Sequence, residues 1–149
     1  MRLGIIGGPG CGKSTLARAE ARRLGVSPIL CTDTLAQALG TGRPVSQDGV
    51  LFAPAKFDKD WSGLSRWVAE SWLPRQGPWV MEGVALARAL RKWRERWPFE
   101  APPVDRVIWC TEPMMELSDG QSSMLAGHDT IANGLLEDWP ELMAITSPA

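Results

Sequence analysis

The chain has 149 residues, 44% of them hydrophobic, with 16 Lys and Arg against 17 Asp and Glu for a formal net charge of −1. This length suits one domain, residues 1–149, with a sizeable core, and is too short for a nucleotide-binding module plus a second domain. No apolar run reaches the ~18 residues of a membrane span, and the first strand starts too early for a signal peptide. Cys11, Cys31 and Cys110 are widely spaced and odd in number, which suits reduced thiols in a cytoplasm, in a bacterium or a phage-infected host. It argues against a disulfide framework, a disulfide-linked partner or a zinc site. Oligomeric state is left open.

Leu3-Gly4-Ile5-Ile6 predicts a short buried strand, and Ser14 to Leu24 predicts a helix closed by Gly25. Between them Gly7-Gly8-Pro9-Gly10-Cys11-Gly12-Lys13-Ser14 fits the phosphate-cradling pattern G-x-x-x-x-G-K-[ST] without a mismatch. Glycines allow consecutive backbone N–H groups to converge on an anion, with the positive end of the helix dipole behind them. Residues Gly8, Pro9, Gly10, Cys11, Gly12, Lys13, Ser14 and Thr15 are therefore expected to bind ATP. Cys11 takes part through its N–H, Lys13 reaches the β- and γ-phosphates, and the Ser14 hydroxyl holds Mg²⁺.

Pro28-Ile29-Leu30-Cys31 predicts a second strand, followed by Thr32-Asp33-Thr34 and a brief helix to about Leu39. Residues 40–58 read as one long loop rich in Gly, Pro, Ser and Asp. Asp60 or Ser62 can cap a helix running to about Leu73, which Pro74 to Pro78 breaks. Trp79-Val80-Met81 predicts a third strand ending at Glu82-Gly83, then a helix over 84–97 stopped by Pro98, then a fourth strand from Asp105 to Thr111. Beyond it, Ser118-Asp119-Gly120 and Gly127-His128-Asp129 read as turns, before a helix from Thr130 to about Trp139. His128, the only histidine, is assigned a local turn role, and Gln121 is read as a solvated loop residue or a nucleotide contact. Strands alternating with helices predict an α/β fold: a short parallel sheet of four to five strands with helices on both faces and the site at the strands' carboxyl ends.

At those ends the chemistry collects. Asp33 follows strand two and can cap the next helix. Glu82 closes strand three and either serves the metal or binds the acceptor; an acidic strand end facing solvent is the alternative. Charge is uneven: residues 1–110 hold all 16 cations with 10 acids, whereas residues 111–149 hold seven acids and no Lys or Arg. Arg88, Arg91, Lys92, Arg94 and Arg96 crowd one stretch, as a basic face toward phosphate or as a solvated helix side. Eight tryptophans stand against no tyrosine. Trp93 and Trp97, four apart beside those cations, suit either base stacking or a buried helix stripe.

This set, the P-loop with Asp33 and Glu82 at successive strand ends, resembles the P-loop kinases, a group that includes nucleoside monophosphate, shikimate and polynucleotide kinases. The resemblance covers the order of elements to about residue 111 and implies an Mg²⁺-dependent transfer of the γ-phosphate of ATP to a hydroxyl. It implies Lys13 and Asp33 as catalytic groups and Ser14 and Glu82 at the metal. The family's lid carries arginines that clamp the transferred group, and this chain has none after Arg106. Residues 111–149 are then an acidic C-terminal helical or lid segment, and Arg88, Arg91 and Lys92, or Lys56 and Lys59 in the long loop, are the substitute cations. Asp33, Glu82, Arg88, Lys92, Trp93 and Trp97 are expected at the acceptor, read as a nucleotide or nucleic-acid hydroxyl by analogy with polynucleotide kinase and the phage kinases of hydroxymethyluracil in DNA. A small-metabolite kinase and a nucleotide-dependent NTPase switch are the alternatives.

Overall fold

Apolar residues alternate sides along the first strand, and that alternation sets the layering. In the computed structural model, which describes residues 1–47, 50–52 and 60–146, strand β1 spans Arg2–Gly7. Leu3 and Ile5 face helix α1 (Lys13–Leu24) and pack with Ala17, Ala21, Val80 and Ile108. Ile6 faces the opposite layer, and a Cβ on Gly4 would meet Leu86 there at 3.3 Å. Period-two alternation buried on both faces is what a central parallel strand requires.

The chain continues as β2 (Ile29–Cys31), α2 (Thr32–Thr41), β3 (Val45–Gln47), β4 (Val50–Phe52), α3 (Trp61–Trp67), β5 (Trp79–Glu82), α4 (Leu86–Arg96), β6 (Arg106–Cys110), α5 (Asp119–Asp138) and β7 (Met143–Thr146). The main sheet is parallel, in the order β2-β5-β1-β6-β7. β1 lies at its centre, with Ile5 opposite Glu82 on one side and Gly7 opposite Cys110 on the other. The P-loop, Glu82 and the end of β6 therefore emerge at the same edge. On the face away from α1 a larger core holds Trp67, Trp72, Trp79, Met81, Leu86, Leu90 and Trp109, with Phe52 edge-on to Trp67 at a centroid distance of 5.2 Å.

Two sequence expectations are corrected. Part of the long loop 40–58 is a β3–β4 antiparallel hairpin, missed because each strand is three residues long and β3 carries Ser46 and Gln47. Gln47 Oε1 accepts the Cys31 N–H at 2.9 Å, so the hairpin is tied to the edge of the sheet. Lys56 and Lys59 lie outside the described residues. α3 is capped by Asp60, whose carboxylate accepts the Gly63 N–H at 2.7 Å, and is continued by a wider π-turn over Val68–Trp72.

The second correction concerns the acidic segment. Its helix starts eleven residues before Thr130, at Asp119, and runs through both apparent turns. Ser118 and Gln121 form a reciprocal capping box: Ser118 Oγ accepts the Gln121 N–H at 3.2 Å, and Gln121 Oε1 accepts the Ser118 N–H at 3.0 Å. Gly120 and Gly127 sit on its open side, where an added Cβ would meet nothing within 4 Å. β7 is the fifth strand, closing the sheet beside β6. We expect Ser118→Ala to lower stability by about 1 kcal/mol, read as a shift of the urea midpoint at unchanged slope.

Candidate active site

Two glycines in the left-handed region shape the P-loop, Gly10 at φ 70° and Gly12 at φ 77°, and α1 begins directly after them at Lys13. Alternating backbone handedness of this kind turns successive N–H groups inward as an anion nest at a helix N-terminus. Lys13 is buried, and its Nζ donates to the Gly8 carbonyl at 2.8 Å, curling the ammonium back over the loop. Leu125 of α5 approaches Gly8 so closely that a Cβ would sit 2.4 Å from its Cδ1. Met115 and Met114 do the same at Gly10 and Gly12, and the Met114 N–H donates to the Gly10 carbonyl at 2.7 Å. The glycines thus also admit a methionine-bearing segment that crosses the loop.

Glu82 lies at the end of β5, next to β1, and is only 2% exposed. Ser14 Oγ approaches its Oε1 at 3.4 Å, while its Oε2 is buried without a hydrogen-bond partner. Burial pushes the Glu82 carboxyl up and Asp33 adds to the rise, against the downward pull of Cys31, Lys13 and Ser14. One ligand atom each from Cys31, Asp33 and Glu82 falls within 4.8 Å of the others, which among the described residues is the one such group. The Cys31 thiol, pushed up to about 11 by burial and then by Glu82, stays protonated and is bonded to that carboxylate. The available donors are then hard oxygens of Ser14, Glu82 and Asp33, which suit Mg²⁺ better than a thiophilic metal. An orphaned buried carboxylate oxygen beside the P-loop hydroxyl fits a cation at this point. The nest, Lys13 and the helix N-terminus fit a triphosphate.

Asp33 does not cap α2. The cap position is Cys31, and Asp33 Oδ1 instead accepts the Val84 N–H at 3.1 Å, across 51 positions of sequence. This bond pins the turn after β5 against α2. Gly83 is required there, since its φ is 139° and a Cβ would fall 1.8 Å from Thr32 Oγ1.

Beside this turn a pocket of about 190 Å³ opens between α3, α4 and α5. Trp61, Met124 and Ile131 supply apolar wall, and Val84, Arg88 and His128 stand toward the site. Of the basic and aromatic candidates, Arg88 lines this pocket and Arg91, Lys92, Trp93 and Trp97 do not. α4 runs from the carboxyl end of β5 back toward the start of β6, so Trp97 lies roughly 13 Å along the helix from Arg88 at 1.5 Å per residue. Arg91 pairs with Glu95 at 3.8 Å, and Lys92 Nζ donates to Ser62 Oγ at 3.1 Å. Arg94 binds Asp138 at 2.6 Å and the Gly134 carbonyl at 3.2 Å, tying α4 to the end of α5. Trp93 packs against the core, with the Trp97 ring at a centroid distance of 4.4 Å and Arg96 over Trp97 at 5.3 Å. Of the two readings of this stripe, packing is the one the geometry realises for Trp93, and Gln121 is occupied by its capping box.

His128 departs from its sequence reading. It is a buried helix residue, 5% exposed, and not part of a turn. Its signal was present: Leu125, His128, Ala132 and Leu135 recur at the spacing of one helix face, the last three buried. Gly120 and Gly127, read as turn markers, concealed the helix.

No protein-family model matches the chain, and no curated protein does. Among solved structures, shikimate kinase from Acinetobacter baumannii in complex with shikimate aligns at 13% identity with a TM-score of 0.54, covering 99% of this chain and 82% of that one. A gluconokinase from Sinorhizobium meliloti 1021 aligns at 18% identity over the same shares, with a TM-score of 0.49. At these identities the likeness is one of fold. The chain is a single α/β domain with the five-stranded parallel sheet of the P-loop kinase fold.

Proposed function

We propose that this protein transfers the γ-phosphate of ATP, with Mg²⁺, to a hydroxyl of a compact acceptor held in the pocket between α3, α4 and α5. The observation that carries this reading is the convergence of a P-loop, a Ser14–Glu82 pair and a walled pocket containing Arg88 at one edge of the sheet. Mg·ATP supplies the transferable group and neutralises part of its charge. Lys13 and the loop amides hold the phosphates, Ser14 and Glu82 serve the cation, and Asp33 holds the turn that presents Val84 and Arg88. Residues 111–117 cross the P-loop as a lid without arginines, and among the described residues Arg88 is the cation that lines the pocket, open to an anionic acceptor or to the transferred group.

Pocket size favours a small metabolite over the nucleotide or nucleic-acid acceptor expected from sequence. About 190 Å³ lies below the roughly 300–1,000 Å³ of pockets for drug-sized ligands. The stripe from Arg94 to Trp97 lies at the other end of α4, with Arg94 and Trp93 engaged within the fold. The structural neighbour that binds shikimate agrees with a hydroxylated acid.

The test offers radiolabelled γ-phosphate with hydroxy acids including shikimate, polyols, nucleosides, 5′-hydroxyl oligonucleotides and hydroxymethylated DNA. Label is expected on a small hydroxylated acid. Arg88→Ala is expected to raise that acceptor's KM by about 10-fold or more, the loss of a charged hydrogen bond, with ATP affinity unchanged. Label confined to DNA would restore the nucleic-acid acceptor, and hydrolysis without transfer to any compound would favour the switch reading.

A further inference from the structure

His128 combines three features that a merely structural histidine would not need. Its side chain is 2% exposed, it lines the acceptor pocket, and its Nε2 has no hydrogen-bond partner among the described residues. The other ring nitrogen is committed: Nδ1 lies 3.2 Å from Asp129 Oδ1. An ionised carboxylate can only accept, so Nδ1 carries the hydrogen and Nε2 is left with a bare lone pair. An unpaired buried acceptor is costly unless something donates to it. None of the donors that line this pocket, Arg88 among them, reaches Nε2, so a molecule held there can supply one.

The location is equally specific. Leu125, three residues before His128 on α5, packs against Gly8 of the P-loop, Lys13 is close enough to depress His128 electrostatically, and Arg88 and Val84 share its pocket. His128 therefore lies near the P-loop as well as in the pocket wall. Its charged surroundings are Lys13 on α1, Arg88 on α4 and Asp129 on its own helix, while α3 contributes Ser65 and Trp61 to the pocket and no charge. Asp33, the base expected from sequence, already accepts the Val84 N–H through one oxygen.

We propose that His128, oriented by Asp129, receives the hydrogen of the acceptor's hydroxyl and takes its proton as the phosphoryl group transfers. The inference rests on the kinase reading above. The acceptor oxygen forms a bond to the γ-phosphorus, and the bond from that phosphorus to the β,γ-bridging oxygen breaks with its electron pair leaving on the nucleoside diphosphate. The hydroxyl proton passes to Nε2, giving an imidazolium paired with Asp129, and returns to solvent after product leaves. The pairing is the familiar base-plus-orienter arrangement, here built from adjacent residues of one helix. Burial, the largest influence, and Lys13 hold His128 below its ordinary pKa, against the pull of Asp129, so the imidazole is neutral and able to accept near pH 7.

Because this is the only histidine, its ring can be read without assignment. Long-range ¹H–¹⁵N spectra of the nucleotide-free protein should show Nδ1 protonated and Nε2 bare; the opposite tautomer overturns the proposal. In parallel, Mg·ATP affinity and γ-phosphate release are measured with water and glycerol as acceptors. For a folded His128→Gln variant, release should fall about 10²-fold, the usual size of a general-base effect, at unchanged Mg·ATP affinity. The wild-type rate should decline on acidification through the titration of His128, and the variant should lose that decline. Wild-type release by His128→Gln, or an unaltered acid limb, overturns the inference and leaves the kinase reading intact. A wild-type protein that does not bind Mg·ATP sinks the kinase reading first.

Discussion

Lys13→Ala is expected to reduce phosphoryl transfer by about 10³-fold or more while leaving the fold cooperative. Charge develops on the equatorial oxygens of the transferring group, and a fixed ammonium in a water-poor site stabilises it by several kcal/mol. The lysine's own bond is to the Gly8 carbonyl at 2.8 Å, which water can replace once the side chain is shortened. Thermal unfolding should therefore move little, whereas nucleotide affinity and turnover should collapse together. Single-turnover transfer and titration with a fluorescent nucleotide separate the two. Wild-type turnover by a folded Lys13→Ala protein would remove the P-loop from the chemistry.

Glu82→Gln should move stability and activity in opposite directions. Glu82 is 2% exposed with one carboxylate oxygen unpartnered, and such a group costs about 1–3 kcal/mol. Its raised pKa means that the folded chain binds the proton more tightly than the unfolded chain. Its contribution to stability is thus complete at acidic pH and is lost as pH rises from the ordinary carboxylate range through the raised folded value. Glutamine does not ionise, so the variant should unfold at a higher temperature than wild type near neutrality, by a margin that shrinks toward pH 4. Transfer should fall about 10²-fold or more, because the amide presents less charge to a cation than the carboxylate, and the Mg²⁺ concentration for half-maximal rate should rise. A variant destabilised at pH 7 but fully active would show that Glu82 is a structural group and no metal ligand. A gain in stability at the expense of rate is the usual mark of a functional residue held in an unfavourable place.

What was legible in the sequence was local. The P-loop could be read because strand, glycine-rich turn, Lys13 and helix are contiguous, and the chemistry of an anion nest requires those residue types in that order. Glu82-Gly83 was legible as a strand end, and the two-fold and 3.6-fold apolar periods predicted four strands of the sheet and its two-sided layering. Short elements escaped: β3 and β4 have three residues each, too few for a period to register, and β7 forms by pairing with β6. Glycine misled in α5, since a residue that commonly ends helices is tolerated within one when a capping box starts it and the core holds one face.

Residue order alone places a loop of the P-loop pattern after a buried strand and carboxylates after the neighbouring strands. What those groups meet depends on how the elements pack. Asp33 could cap a helix or orient an acceptor, and packing set one of its oxygens on the Val84 amide, 51 residues away. Arg94 could face a nucleic acid or a neighbour, and α5 brought Asp138 within 2.6 Å. His128 looked like a turn residue until α5 carried it, buried, to the wall of a pocket beside the P-loop. Local residue chemistry constrains the backbone over a few positions. The burial and partners of a side chain depend on contacts distant in sequence, and those arise only when the sheet closes and its helices pack.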